Sequence, residues 1–362
     1  MSIHGKHKED IFETEVTQIL ESNGYVEGSS DGYDKELAIY PEDLVDYVKV
    51  TAPKAYEKMV VNYGDKADET IAKRVAGELD KHGSLFMLRG EVKDKGAKFK
   101  LCQFKPELHN PDIQAKYDSN ILRVVRQIYY STKSQNSIDL VLFLNGIPIV
   151  TIELKTDFTQ AVEVAKSQYK YDRQPKGEKL LEFNKRALVH FAVSGDEAWM
   201  TTKLAGPKTS FLPFNKGKED GSAGNPVNPN GYATAYLWDE VLQRDSILNI
   251  IARYVHLKVE HKENHQGRKF KTETLIFPRY HQLDSVRKLL AHSKEYGAGN
   301  NYLIQHSAGS GKSNSIAWLA HQLSSLHRQE SAVFNSVIVI TDRTVLDDQL
   351  QETISGFEHA AG

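Results

Sequence analysis

The sequence contains a single cysteine, Cys102, among 362 residues. One cysteine cannot form a disulfide within the chain, and it cannot supply the thiolates of a cysteine-based zinc site. The sequence also has no surplus of charge, because 46 Lys and Arg residues oppose 48 Asp and Glu residues. This balance leaves nucleic-acid binding open, since such binding requires a local basic groove and not a basic chain.

Long apolar segments are also absent. The longest, residues 140–152, is interrupted by Asn145, Gly146 and Pro148, and the first eight residues contain no apolar run. A membrane span needs about 20 apolar residues, and a secretory signal needs an apolar stretch near its start. We therefore expect a soluble, cytoplasmic protein. Its 40% hydrophobic and 26% charged residues are ordinary for a globular chain, and its length allows two domains.

Helical and strand patterns alternate along the chain and predict an α/β fold. The spacing of Ile11, Glu15 and Ile19 indicates an opening helix. Residues 140–152 predict a hairpin with its turn at Asn145–Gly146. Further strands are predicted at residues 85–88, 99–101, 188–193, 301–305 and 337–340, and further helices at residues 241–254 and 313–323.

Two polar segments suggest how the chain is divided. Residues 216–231 contain four glycines, two prolines and three asparagines, which indicates an exposed loop. Residues 256–271 are polar and rich in Lys, Arg and His, which is typical of a linker. We therefore predict a first domain at residues 1–258, a linker at 259–272 and a second domain at 273–362.

The strongest motif is a run of five residues between a predicted strand and a predicted helix: Gly309, Ser310, Gly311, Lys312 and Ser313. A phosphate-binding loop belongs at this position, because glycines let backbone N–H groups surround phosphate oxygens and the helix adds its dipole. We expect Lys312 to reach the β- and γ-phosphates and Ser313 to ligate Mg²⁺. His306 replaces the first glycine of the simplest pattern. The alternative is a glycine-rich turn without a ligand.

Gln282 stands about thirty residues before this loop, after the segment Phe277–His281. A glutamine amide can both donate to and accept from the edge of an adenine. We therefore predict that Gln282 contacts the base of the nucleotide. The alternative is a surface glutamine at the start of a helix.

A second group of charges lies in the predicted hairpin. Glu153 and Lys155 share one face of their strand, because side chains two residues apart point the same way. A two-residue turn would place Asp139 opposite Ile152 and away from Glu153. A three-residue turn, or a bulge elsewhere in the hairpin, would place Asp139 opposite Glu153. We predict one of these two geometries, since a shared face puts the carboxylates about 5 Å apart.

Two carboxylates and an ammonium on one face suit a divalent-metal site. We expect Asp139 and Glu153 to hold Mg²⁺ and Lys155 to orient the attacking water or stabilise the transition state. The alternative is a surface salt bridge. Basic residues on both sides of the hairpin could contact DNA phosphates, or could form only a solvated face. They are Arg123, Arg126, Lys133, Lys166, Lys170, Arg173, Lys176 and Lys179.

These motifs together resemble the motor (R) subunit of type I restriction enzymes. The segments around Asp139, Asn145–Pro148 and Glu153–Lys155 are similar to that family's nuclease motif of the PD-(D/E)xK class. The phosphate loop, about 150 residues later, resembles its helicase motif I. Residues 188–193, 200–204, 339–343 and 346–350 are also similar to stretches of that family.

The resemblance implies a PD-(D/E)xK restriction-endonuclease-like domain followed by the first part of a RecA-like P-loop helicase lobe. It implies Glu15 as the acidic residue of the first helix, and Gln168 with Tyr171 as a glutamine–tyrosine element. That pair is spaced by three residues, where the family usually has four. It further implies Mg²⁺ and ATP as cofactors, double-stranded DNA as substrate, and methyltransferase and specificity subunits as partners.

The family also has an acidic box, a second RecA-like lobe and a helical docking domain, for which residues 1–362 leave no room. We expect the chain to be an N-terminal fragment that does not hydrolyse ATP or translocate alone. Two alternatives stay open: a stand-alone DNA-repair nuclease–helicase, and a non-catalytic DNA-binding or assembly module with a decayed metal site. A phosphate-loop kinase is a weaker alternative because it leaves the hairpin charges unexplained.

Overall fold

The computed structural model describes residues 3–156, 161–263 and 267–341, together with residues 351 and 354. Contacts group the chain into two units, one of Met1–Phe104 and Ala115–Asn249, the other of Lys105–Gln114 and Ile250–Gly362. The division at residue 249 precedes the predicted linker. No helix within the described ranges combines the length and the apolar character that crossing a bilayer requires.

A mixed seven-stranded sheet forms the centre of the first unit, with the spatial order β1-β4-β5-β6-β7-β8-β9. The pairs β1–β4 and β6–β7 are parallel, and the other neighbours are antiparallel. The strands are β1 (Tyr25–Gly28), β4 (Leu122–Tyr129), β5 (Ser137–Leu144), β6 (Ile147–Lys155), β7 (Val189–Ser194), β8 (Ala198–Thr201) and β9 (Leu212–Pro213), and a separate hairpin joins β2 (Glu91–Asp94) to β3 (Ala97–Lys100).

Helices pack against this sheet, which confirms the mixed α/β class. Helix α1 contacts β1, β4 and β6, and helix α7 contacts β6 and β7. The helices in chain order are α1 (Ile3–Ser22), α2 (Pro41–Thr51), α3 (Pro53–Tyr63), α4 (Ala67–His82), α5 (Ser84–Arg89), α6 (Pro111–Asp118), α7 (Ala161–Ser167), α8 (Arg244–Arg253), α9 (Tyr280–Tyr296) and α10 (Lys312–Ser324).

The opening helix is confirmed as helix α1. Phe12, Val16 and Leu20 are fully buried, whereas Ile11 is 44% exposed. The three buried residues recur at intervals of four and so form the stripe that packs on the sheet. Ile11 and Glu15 therefore lie outside this stripe.

Residues 85–88 form part of helix α5, so the predicted strand there is wrong. An apolar run of four residues has no period that separates a strand from a helix turn. The strand that pairs with β3 is β2, and the turn between them is Lys95–Gly96. Residues 216–231 contain neither helix nor strand, as predicted.

The central hairpin of β5 and β6 has the predicted Asn145–Gly146 turn. Both turn residues have left-handed backbones, with φ of 48° and 78°. This conformation matches a two-residue hairpin turn. A Cβ on Gly146 would lie 2.2 Å from the carbonyl oxygen of Tyr40, so this position requires glycine. Every residue of β6 is buried, as expected for a strand covered on both faces.

The second unit contains an antiparallel hairpin of β10 (His256–Glu263) and β11 (Lys269–Ile276), and a short ribbon of β12 (His327–Arg328) and β13 (Ser331–Ala332). Residues 259–263 and 269–272 of the predicted linker thus lie in the two strands of this hairpin.

The strands predicted on either side of the phosphate loop are not formed. Residues 301–305 and 337–340 lie outside any strand, and Ile338 and Ile340 are 80% and 88% exposed. A parallel strand exists only through hydrogen bonds to a neighbour. Within the described ranges no strand pairs with either segment. The βαβ unit that a RecA-like lobe requires is therefore not present in the described part of the chain.

Candidate functional sites

A bulge in the central hairpin brings the predicted charges together. Leu144 pairs with Ile147 across the turn, but the register shifts between Leu142 and Phe143, and Leu140 then pairs with Ile152. Asp139 consequently lies opposite Glu153. A bulge was one of the two predicted geometries and is confirmed, whereas the three-residue turn is not formed.

Backbone and side-chain contacts hold Asp139 in this position. Its Oδ2 accepts a hydrogen bond of 2.8 Å from the backbone N–H of Leu154 and lies 3.7 Å from Lys155 Nζ. Asp139 is 8% exposed, Lys155 5% and Glu153 not at all. The structure therefore gathers the three predicted side chains in a nearly water-free site.

The electrostatics of Glu153 favour an additional cation. Burial raises the pKa of its carboxyl well above the ordinary value, and the charge of Asp139 raises it further. Its Oε1 accepts a 2.8 Å hydrogen bond from Arg173 Nε, which opposes the shift. Its Oε2 is buried and has no hydrogen-bond partner. A buried acceptor without a donor is costly, and a cation would satisfy it.

Lys155 is held as an ammonium. Its Nζ lies 3.2 Å from Glu9 Oε1 and donates to the carbonyl of Leu154 at 2.9 Å. Burial alone would lower its pKa, but the carboxylates of Asp139 and Glu9 outweigh burial, and the pKa is raised. Lys155 is therefore equipped to stabilise negative charge and not to accept a proton.

The first helix contributes Glu13 to this site, and not Glu15 as predicted. Glu15 is exposed, and its contact is with Tyr232. Glu13 is 3% exposed and accepts hydrogen bonds from Gln127 Nε2 at 2.7 Å and Arg126 Nε at 3.3 Å. Burial, followed by the charge of Asp139, raises the pKa of Glu13 to about 7. Position 13 lies beside the buried stripe, whereas position 15 is exposed, so the predicted residue lies on another face of the helix.

Gln127 is a member of the site that the sequence does not indicate. Its Nε2 donates to Glu13 Oε1 at 2.7 Å and to Asp139 Oδ1 at 3.2 Å, and its Oε1 accepts from Ser137 Oγ at 2.8 Å. Its backbone φ is 49°, in the left-handed region. For a residue that is neither glycine nor asparagine this costs of order 1–3 kcal/mol.

The donors at this site fit a hard divalent cation. Within residues 3–156, 161–263 and 267–341, no group of three or more His, Cys, Asp or Glu side chains has the arrangement of a metal cluster. Asp139 and Glu153 supply two carboxylates, one of them with the unpartnered oxygen. Mg²⁺ is commonly held by one or two carboxylates together with water and phosphate oxygens. Two carboxylates therefore suffice for Mg²⁺.

The phosphate loop lies in the second unit. Gly309 and Gly311 have φ of 74° and 84°, and helix α10 begins at Lys312, as predicted. Lys312 Nζ donates to the carbonyls of His306 and Ser307 at 2.9 and 3.0 Å, so its ammonium lies across the loop. A cavity of about 300 Å³ adjoins the loop and is lined by Arg279, His281 and residues 305–310.

The side chain of Gln282 is hydrogen-bonded to the backbone of the phosphate loop. Its Oε1 accepts from the N–H of Arg279 at 2.8 Å, and its Nε2 donates to the carbonyls of Ser310 and Gly311 at 3.2 and 2.9 Å. A Cβ on Gly311 would lie 2.4 Å from Gln282 Nε2, so glycine is needed there. The amide is buried and hydrogen-bonded to the loop, so its donor and acceptor are not open to the base that Gln282 is predicted to contact.

Comparisons with known proteins bear on both sites. Residues 81–209 match the profile of the family described as Type I restriction enzyme R protein N terminus. This segment of the chain is therefore similar to the R proteins of type I restriction enzymes. The match covers Asp139, Glu153 and Lys155, and the resemblance seen in the sequence is confirmed. Residues 281–361 match the family described as SWI2/SNF2 ATPase, which covers Gln282 and the phosphate loop.

Two proteins of Methanocaldococcus jannaschii are similar to this chain. One, named as a candidate endonuclease subunit of type I restriction enzyme MjaVIIIP, is 25% identical over 337 residues, which are 90% of this chain and 28% of that protein. The other, named likewise for MjaVIIP, is 25% identical over 287 residues, 72% of this chain and 22% of that protein. The chain thus spans about a quarter of the length of these relatives.

The glutamine–tyrosine element of R proteins is only partly in place. Gln168 begins a π-helical turn, Gln168–Asp172, and its Oε1 is buried without a hydrogen-bond partner. Tyr171 is 59% exposed, whereas Tyr169 is fully buried and its OH lies 2.7 Å from Thr151 Oγ1. Burial, followed by the charge of Glu153, raises the pKa of Tyr169. The tyrosine near the carboxylates is therefore Tyr169.

Most of the basic residues predicted to contact DNA form ion pairs with acidic residues of the protein itself. Arg123 makes a two-pronged ion pair with Asp43, with both distances 2.7 Å. Four others of the predicted set, Arg126, Lys166, Arg173 and Lys179, form ion pairs with Glu13, Glu163, Glu153 and Asp80. Among the described residues, no ion pair is found for Lys133, Lys170 and Lys176. Only these three stay candidates for phosphate contacts.

The end of the chain contains the remaining predicted segment. Residues 339–341 of the similarity to the next helicase motif are described and form no strand. Residues 342–343 and 346–350 lie outside the described residues, so that similarity stays a prediction.

Proposed function

We propose that the site around Asp139 and Glu153 is the Mg²⁺-dependent DNA-cleavage centre of a type I restriction R protein. The observation that carries the proposal is the hairpin bulge, which places two buried carboxylates opposite each other and leaves Glu153 Oε2 without a partner. The proposal includes a PD-(D/E)xK fold for the first unit, with double-stranded DNA as substrate. The matched relatives are named as restriction endonuclease subunits, which favours restriction over DNA repair.

The residues divide the chemistry among themselves. Asp139 and Glu153 would hold Mg²⁺, which when bound lowers the pKa of water and offsets phosphate charge. The ammonium of Lys155 stabilises the negative charge that develops on the attacked phosphate. Arg173 keeps one oxygen of Glu153 in place, and the other oxygen, which has no hydrogen-bond partner, would ligate the cation. Gln168 is proposed to orient the attacking water, which can donate a hydrogen bond to its unpartnered amide oxygen.

Cleavage of supercoiled plasmid tests this proposal. The 362-residue chain, supplied with methyltransferase and specificity subunits where cleavage requires them, is expected to nick DNA only with Mg²⁺ or Mn²⁺. Asp139→Asn and Glu153→Gln keep the shape of the side chains and remove the charge, and each is expected to abolish nicking. Lys73→Ala, which removes an exposed charge that is paired with Glu69 on helix α4, is the control. Nicking by either carboxylate variant at the wild-type rate would refute the proposal.

The second unit is proposed to bind ATP as the first part of a RecA-like lobe. Lys312 would exchange its contacts with the loop carbonyls for the β- and γ-phosphates, and Ser313 would ligate Mg²⁺. Contact of Gln282 with the base would require release of its bonds to the loop. We also propose that the R protein is cytoplasmic, translocates DNA and has methyltransferase and specificity subunits as partners. The domain limits are proposed to lie near residues 258 and 273. This chain alone is not expected to hydrolyse ATP.

A further inference from the structure

The most unusual backbone in the central sheet belongs to Gln127. Arg126 pairs with Leu140 and Ile128 pairs with Ile138, so Gln127 lies directly opposite Asp139 on the neighbouring strand. Its φ of 49° is one that strand residues other than glycine avoid. A conformation of this kind persists only when the surroundings compensate for it, and such residues cluster at functional sites.

The side chain of Gln127 supplies the compensation. Its amide group uses both its oxygen and its nitrogen: Ser137 Oγ donates to Oε1, and Nε2 donates to Glu13 and Asp139. The carboxylate of Asp139 only accepts hydrogen bonds, so the amide nitrogen must face it, and the hydroxyl of Ser137 donates to the oxygen at the other end. One glutamine thereby joins helix α1 to strand β5 through two acidic side chains that would otherwise repel each other.

We propose that Gln127 is a positioning residue, which orients Asp139 toward the cation and keeps Glu13 beside it. Asp139 Oδ1 is held by Gln127 and Oδ2 by the N–H of Leu154, at 3.2 and 2.8 Å. Both oxygens are thus fixed in direction before a cation arrives, which lowers the cost of binding it. This inference rests on the proposed function of the site and adds a residue that touches neither cation nor DNA.

Alternative donors do not replace Gln127. Arg126 also reaches Glu13, but at 3.3 Å, and it is a partly exposed side chain. Lys155 reaches Asp139 at 3.7 Å and is closer to Glu9. Among the described side chains, only the amide of Gln127 is seen to donate to both Glu13 and Asp139. Its loss should therefore weaken cation binding without removing a ligand.

Calorimetric titration of the 362-residue chain with MnCl₂ tests the inference. Gln127→Leu keeps the bulk of the side chain and removes the amide. Gln127→Gly also removes it but accepts the left-handed backbone, so it folds even if the leucine variant does not. Each variant is expected to bind Mn²⁺ about 10- to 100-fold more weakly than wild type, the usual effect of removing a partner of a metal ligand. Plasmid nicking should recover at saturating Mn²⁺, because both carboxylates and Lys155 remain.

Two control variants give each outcome a meaning. Gln329→Gly makes the same substitution at an exposed glutamine of the second unit with φ of 57°, and should bind Mn²⁺ as wild type does. Asp139→Asn should abolish binding.

If Asp139→Asn abolishes binding and both Gln127 variants keep wild-type affinity, the inference is overturned and the proposed function stands. If wild type binds no Mn²⁺, or Asp139→Asn binds it normally, the proposed function fails and the inference fails with it. The inference would also be overturned if Gln127→Leu and Gln127→Gly lost affinity for Mn²⁺ and excess Mn²⁺ did not restore their plasmid nicking.

Discussion

The two candidate sites differ in how completely their surroundings are formed. The carboxylate site lies in the middle of a seven-stranded sheet, where β5 and β6 have neighbours on both sides. The phosphate loop has its helix, but the apolar segments before and after it pair with no strand in the described ranges. The carbonyl groups of the loop accept hydrogen bonds from the side chains of Gln282 and Lys312. The first site therefore has strands β4, β5 and β6 and helix α1 around it, whereas the described part of the second unit gives the phosphate loop a helix but no sheet.

The largest effects should separate the two sites completely. Lys155→Ala removes the ammonium next to Asp139 and is expected to reduce plasmid nicking by about 1,000-fold, while ATP binding is unchanged. Lys312→Ala should do the reverse, with ATP binding reduced by about 100-fold and Mn²⁺ binding unchanged. Fluorescent-nucleotide titration and plasmid nicking measure both variants. Loss of both properties in either variant would mean that the sites are not independent.

A smaller effect should follow from the support of the phosphate loop. Gln282→Leu fills the same space but removes two hydrogen bonds to the loop carbonyls, and we expect about 30-fold weaker ATP binding, since each bond lost is worth about 1 kcal/mol. Lys288→Ala, an exposed change on the same helix, should bind ATP as wild type does. Equal affinity in the leucine variant would show that the contacts between Gln282 and the loop do not matter for nucleotide binding.

The pH dependence of stability should distinguish Glu13 from Glu15. The pKa of Glu13 is raised from 4.5 to about 7, so the folded state binds its proton more tightly than the unfolded state. Its contribution to stability is therefore present at low pH and is lost as the pH rises from 4.5 through about 7, by about 3 kcal/mol at most. Glu13→Gln should remove this part of the slope in chelator-treated protein, and Glu15→Gln should leave it.

Thermal unfolding followed by circular dichroism across this pH range measures the difference. The comparison is between two neighbouring glutamates of one helix, of which one is buried and one is exposed. Identical pH profiles for Glu13→Gln and wild type would contradict the assignment of Glu13 to the site.

Local patterns in the sequence predicted most of the carboxylate site. Asn145–Gly146 specifies a two-residue turn because both residues tolerate a left-handed backbone. That turn alone would have separated Asp139 from Glu153, so the bulge followed from the chemistry that the charges require. Glu13 could have been found from the stripe of Phe12, Val16 and Leu20, which places position 13 next to the sheet.

Other parts of the two sites could not be predicted from local patterns. No residue type marks Gln127, because its backbone departs from a strand where neither glycine nor asparagine is present. The segments 301–305 and 337–340 have the composition of buried strands. Composition cannot state whether a partner strand is there to receive them, since pairing is a long-range property.

Crystals of the chain soaked in MnCl₂ would test the central claim most directly, through the anomalous scattering of manganese. We expect a peak between Asp139 and Glu153, roughly 2.0–2.6 Å from a carboxylate oxygen of each, with Glu153 Oε2 as one of the two. The peak should be absent from Asp139→Asn crystals. A wild-type crystal with manganese bound elsewhere and none between these two carboxylates would contradict the account.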